Sequence, residues 1–587
     1  MTYRAPLDDM RFALGELAGL DRLLALAGGG ADRAAVDDVL EAAGRFAADV
    51  LAPLDRTGDL EGATLANGAV RAPRGFADAY RRFVEDGWNA LPGPADHGGS
   101  GLPRAVASAA AEMWSGANMA FALCPLLTHS AVELLVRHGT PAQRERYLAN
   151  LVSGRWAGTM VLTEPQAGSD VGALTTRAAR AADGTYRITG SKIFITYGDH
   201  DMAENIVHFV LARVAGAPPG PKGVSLFIAP RLVQAPDGRW TRRNALGPVR
   251  LEKKLGIRGS PTCEMAFDGA EAEIVGAEGQ GLAGMFAMMN TARHAVGLEG
   301  IAVGEAALQQ AAAYARERVQ GRDAEGRPTA IENHPDVRRM LLVMRAEVEA
   351  MRGLAYVTAA RHDAALHAAD AGERAEAQAF VDLMTPVVKA CGSDMGFRVA
   401  SEAVQVHGGL GFIEDTGAAQ RLRDARIAMI YEGTNGIQAI DLVRRKLGQD
   451  GGRAARAFLD TVAALDDGLA AVPEFAALRL RLGQGAEALA GATRWMTEAL
   501  GRDADDALAG ASDYLRLFGV VAGGWIMAKA ALAARARLAE GAAAPLAPAV
   551  YRAKLTTARN YAERVLPAAA GLAAVATAGA ASLRQGD

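Results

Sequence analysis

The spacing of apolar residues divides the chain into helical and strand-forming regions. Within residues 1–158, segments such as Val36–Leu51 and Val132–Leu151 place apolar residues at the spacing of an α-helix, with charged residues between them. Over residues 159–283 the pattern changes to short runs rich in β-branched and aromatic residues, such as Ile206–Leu211, bounded by glycine and proline. We therefore predict an N-terminal helical domain followed by a β-domain, built as a small antiparallel sheet or barrel.

Long helical patterns return in the second half of the chain. Residues 284–447 contain alanine-rich helical stretches such as Ala390–Val406, and residues 448–587 continue in the same way after a glycine-rich linker, Gly448–Gly452. This order is not the alternation of strands and helices that marks a doubly wound parallel sheet. The predicted fold class is mainly α with a central β-domain, a helical bundle over residues 284–447 and a C-terminal helical extension.

Composition excludes several classes of function. Half of the 587 residues are hydrophobic and 22% are charged, and the net charge of −4 gives no electrostatic basis for binding nucleic acid. Cys124, Cys263 and Cys391 lie far apart, which predicts no metal site and no disulfide framework and suits a reducing compartment. No secretory signal is visible. The uncharged segment Val565–Leu583 is too weakly apolar for a membrane span, so we expect a packed terminal helix or a frayed tail, with peripheral membrane contact as the alternative. The sequence therefore predicts a cytoplasmic protein with no metal and no integral membrane segment.

The segment Ile430–Asn435 reads Ile-Tyr-Glu-Gly-Thr-Asn and contains the most informative carboxylate. Glu432 lies between apolar residues and a Gly-Thr turn, and an apolar setting raises the proton affinity of a carboxylate toward that of a general base. On its own, a glutamate before a glycine is more often an ordinary helix end. A second segment far upstream, Leu162–Asp170, reads Leu-Thr-Glu-Pro-Gln-Ala-Gly-Ser-Asp and favours the catalytic interpretation.

With these two segments in order, the chain resembles the acyl-CoA dehydrogenase family. Segments similar to other motifs of the family are Trp88–Gly101, Gly190–Thr196, Lys254–Ser260 and Gln405–Gly411. The resemblance covers roughly residues 40–447, and the flanking segments resemble the subgroup that contains 3-(methylthio)propanoyl-CoA dehydrogenases. It implies the acyl-CoA dehydrogenase fold, with a helical domain, a β-barrel-like domain and a four-helix bundle, and FAD as the cofactor.

The resemblance also implies the reaction. We expect α,β-dehydrogenation of an acyl-CoA thioester to the trans-2-enoyl-CoA, with 3-(methylthio)propanoyl or another short or medium acyl group, and transfer of the electrons to an electron-transfer flavoprotein. A base must remove the Cα proton while the Cβ hydrogen leaves as hydride, which a flavin accepts and protein side chains do not. Glu432 aligns with the family's base, whereas the other position that the family uses, directly before Arg293, holds Ala292.

The remaining site residues are carried over from the family by position. Those expected to contact FAD are Leu162, Thr163, Gly168, Ser169, Phe194, Thr196, Arg318, Gln320, Gln405, Gly408, Gly409 and Thr434. Ser169, Asn290 and Arg293 are expected to contact the acyl-CoA. Phe194 departs from the tryptophan, and Asn290 from the aspartate, that the family commonly has. Because the family's FAD is shared between subunits, a homodimer or homotetramer is expected.

One motif points to a different function. Gly279–Gly284 matches the Gly-x-Gly-x-x-Gly dinucleotide fingerprint, and Glu299 lies 20 residues after Gly279. That site needs a second strand between the glycines and the acid, whereas the helical pattern runs from Met285 to about Arg318, so we do not expect a dinucleotide site here.

Two alternatives to a dehydrogenase stay open: an acyl-CoA oxidase that passes electrons to oxygen, and a non-catalytic helical scaffold.

Overall fold

The N-terminal region is helical, and it contains one strand pair that the apolar spacing does not predict. The computed structural model describes residues 3–584. The helices are α1 (Leu7–Phe12), α2 (Leu20–Ala27), α3 (Arg33–Phe46), α4 (Ala52–Glu61), α5 (Phe76–Glu85), α6 (Arg104–Ala117), α7 (Met119–His138) and α8 (Pro141–Ser153). The strands β1 (Thr64–Ala66) and β2 (Ala69–Arg71) form a hairpin. Its two turn residues, Asn67 and Gly68, have φ values of 52° and 72°, and positive φ at both positions is the signature of a type I′ turn.

The central domain is a seven-stranded sheet that closes on itself. Its strands are β3 (Trp156–Val161), β4 (Arg177–Arg180), β5 (Tyr186–Thr196), β6 (Asn205–Val214), β7 (Val224–Pro230), β10 (Leu246–Leu251) and β11 (Thr262–Val275), with the small ribbon β8 (Leu232–Gln234) and β9 (Trp240–Arg243) beside them. Strands β5, β4, β6, β7 and β11 pair in a ring, which is the predicted barrel. The prediction of purely antiparallel pairing is wrong, because β3 and β4 both run parallel to β6. Parallel pairs join strands through long crossovers, which leave no turn signal in the sequence.

The third region is dominated by three long helices. Its elements are α9 (Gly281–Glu317), β12 (Val319–Arg322), β13 (Pro328–Ala330), α10 (Pro335–His367), α11 (Ala371–His407), α12 (Ala418–Ala425), α13 (Asn435–Ile440) and α14 (Gly448–Asp450). Because α9 is continuous, no strand lies between Gly279 and Glu299. This excludes a Rossmann-type dinucleotide-binding site at the Gly279–Gly284 motif. Helices α9 and α11 touch along glycines: a Cβ placed on Gly300 would lie 2.3 Å from the carbonyl oxygen of Gly392. This contact brings the two helix backbones together beneath the predicted base.

The C-terminal region packs onto that bundle. It consists of α15 (Arg453–Ala463), α16 (Asp466–Ala470), α17 (Ala476–Arg502), α18 (Ala504–Ala509), α19 (Ala511–Glu540), α20 (Pro548–Arg564) and α21 (Ala568–Ala576). Buried Tyr514, Phe518, Trp525 and Ile526 of α19 belong to the same hydrophobic core as α9, α10 and α11. The C-terminal extension and the bundle therefore share one hydrophobic core.

A buried ion cluster ties the two ends of the chain to the bundle. Arg352 of α10 donates to Glu112 of α6 at 2.9 Å and to Glu305 of α9 at 2.9 Å, and it also pairs with Asp9 of α1. Lys554 of α20 pairs with the same Asp9 and adds a contact between the C-terminal extension and the N-terminal helix. Buried charges are stable only when they are paired and hydrogen-bonded, so this cluster fixes how five helices meet.

Two helical segments, α7 and residues 511–543, are long and apolar enough to cross a membrane by length and composition alone. In the most apolar 18-residue stretch of each segment, the share of residues buried inside the fold is 83% for α7 and 78% for residues 511–543. Core helices of water-soluble folds pass the same test, so this is weak evidence for a membrane span. The segment flagged from the sequence, Val565–Leu583, contains the short helix α21, whose Ala569 and Ala576 are buried.

Candidate active site

Glu432 lies in a short loop between the turn Arg426–Met429 and α13. Its backbone has a φ of 56°, and Gly433 follows with a φ of 84°. For a residue with a Cβ, this left-handed conformation costs about 1–2 kcal/mol. The loop ends at Thr434, whose hydroxyl caps α13 by accepting a hydrogen bond from the amide of Ile437 at 3.2 Å. A strained backbone persists only where its surroundings impose it.

Three side chains impose this conformation by binding the loop's carbonyl groups. Arg293 Nε and Gln438 Nε2 donate to the carbonyl oxygen of Glu432, at 3.3 and 3.2 Å. Lys389 Nζ donates to the carbonyl oxygen of Gly433 at 2.8 Å. The backbone of the predicted base is thus held by α9, α11 and α13 together.

The surroundings of Glu432 shift its proton affinity toward neutral pH. Burial raises the pKa of its carboxyl to about 7, although the charges of Arg293 and Lys389 act in the opposite direction. Within residues 3–584, no hydrogen bond to the carboxylate contributes to this shift. Part of the side chain stays accessible, so the carboxylate is both poorly solvated and free to meet a ligand. A carboxylate with these properties can act as a general base at neutral pH.

A polar network beneath the loop was missed by the sequence reasoning. Lys389 also donates to Oδ1 of Asn435 at 2.8 Å, and Asn435 Nδ2 donates to Asp394 at 2.7 Å. Burial lowers the pKa of Lys389 to about 7, with the nearby Glu432 and Asp394 opposing the shift. A usable signal was present in the sequence, because Lys389 stands in the run Pro386–Ala390, whose other residues are apolar. Lysine is almost never fully buried unless it is paired, so a lysine in such a run indicates a specific partner.

Of the two predicted substrate contacts on α9, Arg293 lies beside the base and Asn290 lies one turn away. Arg293 is buried and pairs with Asp441 at 3.2 Å, in addition to its bond to the Glu432 carbonyl. Asn290 is exposed and lines a cavity between α6, α7, α9, α10 and α11. The two residues therefore face different surroundings.

This cavity is a recess between five helices of the N-terminal region and the bundle. It has an empty volume of about 1250 Å³, including its open mouth, and its walls include Trp114, Pro125, Leu126, His294 and Leu298. Helix α11 connects the cavity to the loop that carries Glu432. Thr385 lines the cavity, and Lys389, one turn further along α11, binds the loop. Most of its surface is apolar, which suits an acyl chain.

The segment Leu162–Asp170 is shaped by a buried ion pair. Glu164 lies 2.9 Å from Lys192 of β5 and also accepts from the amide of Thr175 at 2.7 Å. Burial alone would raise the pKa of Glu164, but Lys192 and these donors outweigh it and hold that pKa well below its usual range. Lys192 Nζ also donates to the carbonyl oxygen of Leu162 at 2.7 Å. Two of the resembling motifs are thus joined by residues that the sequence analysis did not single out.

The predicted flavin-contacting residues of this loop differ in how accessible they are. The carbonyl oxygen of Thr163 accepts a hydrogen bond from Ile193 at 2.9 Å, while Gly168 and Ser169 are exposed. Phe194 is 59% exposed and has a φ of 61°. An exposed phenyl ring on a strained strand residue fits the face of a planar flavin, and polar loop groups fit its edge. Thr196 lies at the end of the same strand, where its carbonyl oxygen accepts from Thr159 at 2.6 Å.

The other predicted FAD contacts lie on a separate surface. Arg318 follows α9 and donates to Gln320 at 3.3 Å, and Gln405 lies exposed near the end of α11. Gly408 and Gly409 have open space where a side chain would be. Next to them is Phe412, which is 86% exposed. The hydrogen bonds and ion pairs within residues 3–584 do not connect this surface to the loop at Leu162.

Four family models together match most of the chain. The acyl-CoA dehydrogenase N-terminal, middle and C-terminal domains match residues 35–155, 159–270 and 279–447, and the model described as "Acetyl-CoA dehydrogenase C-terminal like" matches residues 454–586. The chain belongs to the acyl-CoA dehydrogenase family. It is therefore an oxidoreductase of the acyl-CoA dehydrogenase type, and FAD is the family's cofactor.

Relatives and solved structures extend this result over the whole length. The chain is 46% identical, over 96% of both proteins, to the 3-methylmercaptopropionyl-CoA dehydrogenase of Ruegeria pomeroyi. It is similar in fold to Caenorhabditis elegans ACDH-11, solved in complex with C11-CoA, with a TM-score of 0.75 and 22% identity over 96% of this chain and 92% of the other. It is also similar to a Bacillus anthracis acyl-CoA dehydrogenase complexed with FAD, with a TM-score of 0.74 and 20% identity over 95% and 90% of the two chains. The predicted fold class, including the C-terminal helical region, is confirmed.

Proposed function

We propose that this protein dehydrogenates an acyl-CoA between Cα and Cβ, with Glu432 as the base. The observation that carries the proposal is the state of Glu432: a partly accessible carboxylate with a pKa raised to about 7, on a strained backbone held by three side chains. Acid–base catalysis is most effective when the pKa of the base lies near the working pH. A loop that served only to connect two helices would not need this strain.

In the proposed reaction, the Cα proton passes to the Glu432 carboxylate and the Cβ hydrogen leaves as hydride, so that a Cα=Cβ double bond forms. Bound FAD supplies the hydride acceptor. Burial of Glu432 favours its neutral form, which is the form produced by proton transfer. Arg293 and Lys389 oppose that effect and keep part of the population ionised at neutral pH.

The residues proposed to hold FAD are those whose surroundings fit it. Leu162, Thr163, Gly168 and Ser169 would border the ring, with Phe194 against its face and Thr196 beside it. Arg318 and Gln320 would meet the FAD pyrophosphate. Gln405, Gly408 and Gly409 would pack on the diphosphate and adenosine of a neighbouring subunit's FAD, and Thr434, which follows the base, would also contact FAD. An arginine fork suits phosphate oxygens, and glycines allow close approach of the backbone. Ser169, Asn290 and Arg293 would contact the acyl-CoA.

For the substrate we propose 3-(methylthio)propanoyl-CoA. Support comes from the full-length similarity to a protein with that activity in its name. We further propose an electron-transfer flavoprotein as the electron acceptor, a homodimer or homotetramer as the assembly, and the cytoplasm as the location.

The first experiment is a visible spectrum followed by an anaerobic titration with 3-(methylthio)propanoyl-CoA. We expect a yellow protein whose oxidised flavin bands bleach with substrate, and a Glu432→Gln variant that binds flavin but does not bleach. Glu474→Gln changes an exposed glutamate in the C-terminal region and serves as the matched control, with full bleaching expected.

Each outcome separates one part of the proposal from the rest. Bleaching by other acyl-CoAs only would refute the substrate but keep the reaction. Bleaching in Glu432→Gln at the wild-type rate would refute the base. Oxygen consumption with substrate and no added acceptor would favour the oxidase, and a colourless protein that takes up no FAD would favour the scaffold.

A further inference from the structure

A second buried carboxyl group lies directly behind the base. Glu299 of α9 has no solvent-exposed surface, and its Oε2 accepts a hydrogen bond from the hydroxyl of Tyr431, the residue that precedes Glu432. Its other oxygen, Oε1, is buried and has no partner among the described residues. Its neighbours along the helix, from Val296 to Ile301, are apolar or glycine. A carboxyl group in such surroundings is unfavourable unless it makes a specific interaction.

The interaction with Tyr431 comes at the point where the loop needs support. The carbonyl groups of Glu432 and Gly433 are held by Arg293, Gln438 and Lys389, and all of these contacts lie at or after the base. Before the base, the amide of Tyr431 donates to Ile427 at 3.2 Å within the same turn. The Tyr431 hydroxyl therefore ties the chain before Glu432 to a rigid helix.

We propose that Glu299 is a positioning residue for Glu432 and acts through Tyr431. The inference rests on the proposed function, because it assigns Glu299 to the same proton transfer. Glu299 is not among the residues that line the cavity, and its side chain is bonded to Tyr431. Its role is to keep Glu432 in its left-handed conformation and its carboxylate in a partly buried, poorly solvated position.

Charge adds a second consequence. The groups that face Glu299 are Tyr431 and Glu432 from the loop and Lys389 from α11. Burial raises the pKa of Glu299 to about 8, the Tyr431 hydrogen bond lowers it, and the charge of Glu432 raises it further. At neutral pH the group is therefore mostly an uncharged acid, and Glu432 has no second negative charge beside it.

The test uses three variants of the holoenzyme: Tyr431→Phe, Glu299→Ala and Glu299→Gln. The measurement is the rate constant of anaerobic flavin bleaching at saturating acyl-CoA, from pH 5.5 to 9, together with the substrate concentration for half-saturation. We expect Tyr431→Phe and Glu299→Ala to lower the limiting rate about 10-fold or more with little change in half-saturation, because a misplaced base reduces the rate without weakening binding. Both should also move the rising limb to lower pH by about half a unit, because a loosened base becomes better hydrated.

Glu299→Gln is the conservative control. Its amide oxygen can still accept from Tyr431, so we expect a rate within about threefold of wild type and an unchanged rising limb at neutral pH. If Glu299 only stabilised the fold, all three variants would keep the limiting rate and the pH midpoint and would differ only in unfolding. That result in Tyr431→Phe, which removes a single oxygen and should fold even if Glu299→Ala does not, would overturn the proposal. A wild-type protein that no acyl-CoA bleaches would instead refute the proposed function itself.

Discussion

Replacing Glu432 by glutamine should stabilise the protein in alkaline solution while abolishing its activity. Burial raises the pKa of this carboxyl from 4.5 to about 7. Because the folded pKa lies above the unfolded one, the group's stabilising effect is fully present below pH 4.5 and is lost as pH rises through about 7. Above that range, wild type must keep an ionised carboxylate in a poorly solvated site, and glutamine removes that burden.

The magnitude follows from the two pKa values. One pKa unit corresponds to about 1.4 kcal/mol, so ionisation of Glu432 destabilises the fold by about 0.8 kcal/mol at pH 5 and about 3.4 kcal/mol at pH 8.5. Part of the side chain is accessible, and solvent screening reduces the difference between these values to about 2 kcal/mol. Other buried acids titrate in both proteins and largely cancel.

The assay is urea unfolding of wild type and Glu432→Gln at pH 5.0 and pH 8.5, without substrate and with FAD at equal saturation. We expect the stability advantage of the variant to be about 2 kcal/mol larger at pH 8.5 than at pH 5.0. Glu474→Gln should show no pH-dependent advantage, because that residue is exposed. An advantage for Glu432→Gln that is equal at the two pH values would refute the claim that burial raises the proton affinity of the base.

Three further predictions concern the helices around the site. Arg352→Met leaves two buried glutamates unpaired and should lower the free energy of unfolding by about 3–5 kcal/mol, read from the urea midpoint; a loss below about 1 kcal/mol would contradict the buried cluster. Lys389→Met removes a side-chain donor to the Gly433 carbonyl and should slow anaerobic flavin bleaching about 10- to 100-fold with flavin content preserved. An unchanged rate would show that Lys389 is not needed to position the loop. Gly300→Leu should force α9 away from α11 at Gly392 and prevent stable folding, seen as insoluble protein or a strongly lowered melting temperature, and a wild-type melting temperature would rule out the close glycine contact.

The order of domains was predictable because hydrophobic period is a local property. Helical spacing before residue 159, strand-like runs after it and helical spacing again from residue 284 are each visible in short windows. The parallel pairing of β3 and β4 with β6 was not predictable, since it depends on contacts between strands far apart in sequence. The hairpin at Asn67-Gly68 was predictable, because Asn-Gly is a strong signal for a hairpin turn. It was missed because the apolar spacing of the surrounding region is helical.

The site divides in a similar way. Roles for Glu432, Arg293 and the loop at Leu162 could be predicted because segments similar to the family's motifs occur in order along the chain. Glu299 and Lys389 were not assigned a role, although Glu299 was noted as part of a false dinucleotide motif. The sequence does not show whether a charged residue of a helix is buried or exposed. For Glu299 and Lys389, burial follows from the packing of α9 against α11.

The unfavourable features of this protein are concentrated where the proposed chemistry takes place. A left-handed glutamate, a lysine with a pKa lowered to about 7 and an acid with a pKa raised to about 8 all meet within one loop and two helices. Each lowers stability on its own, and they persist because the surrounding bundle over-determines the arrangement. The cluster around Arg352 and the shared core with α19 supply that support. The C-terminal extension should therefore affect catalysis indirectly, by keeping α9, α10 and α11 rigid under the base.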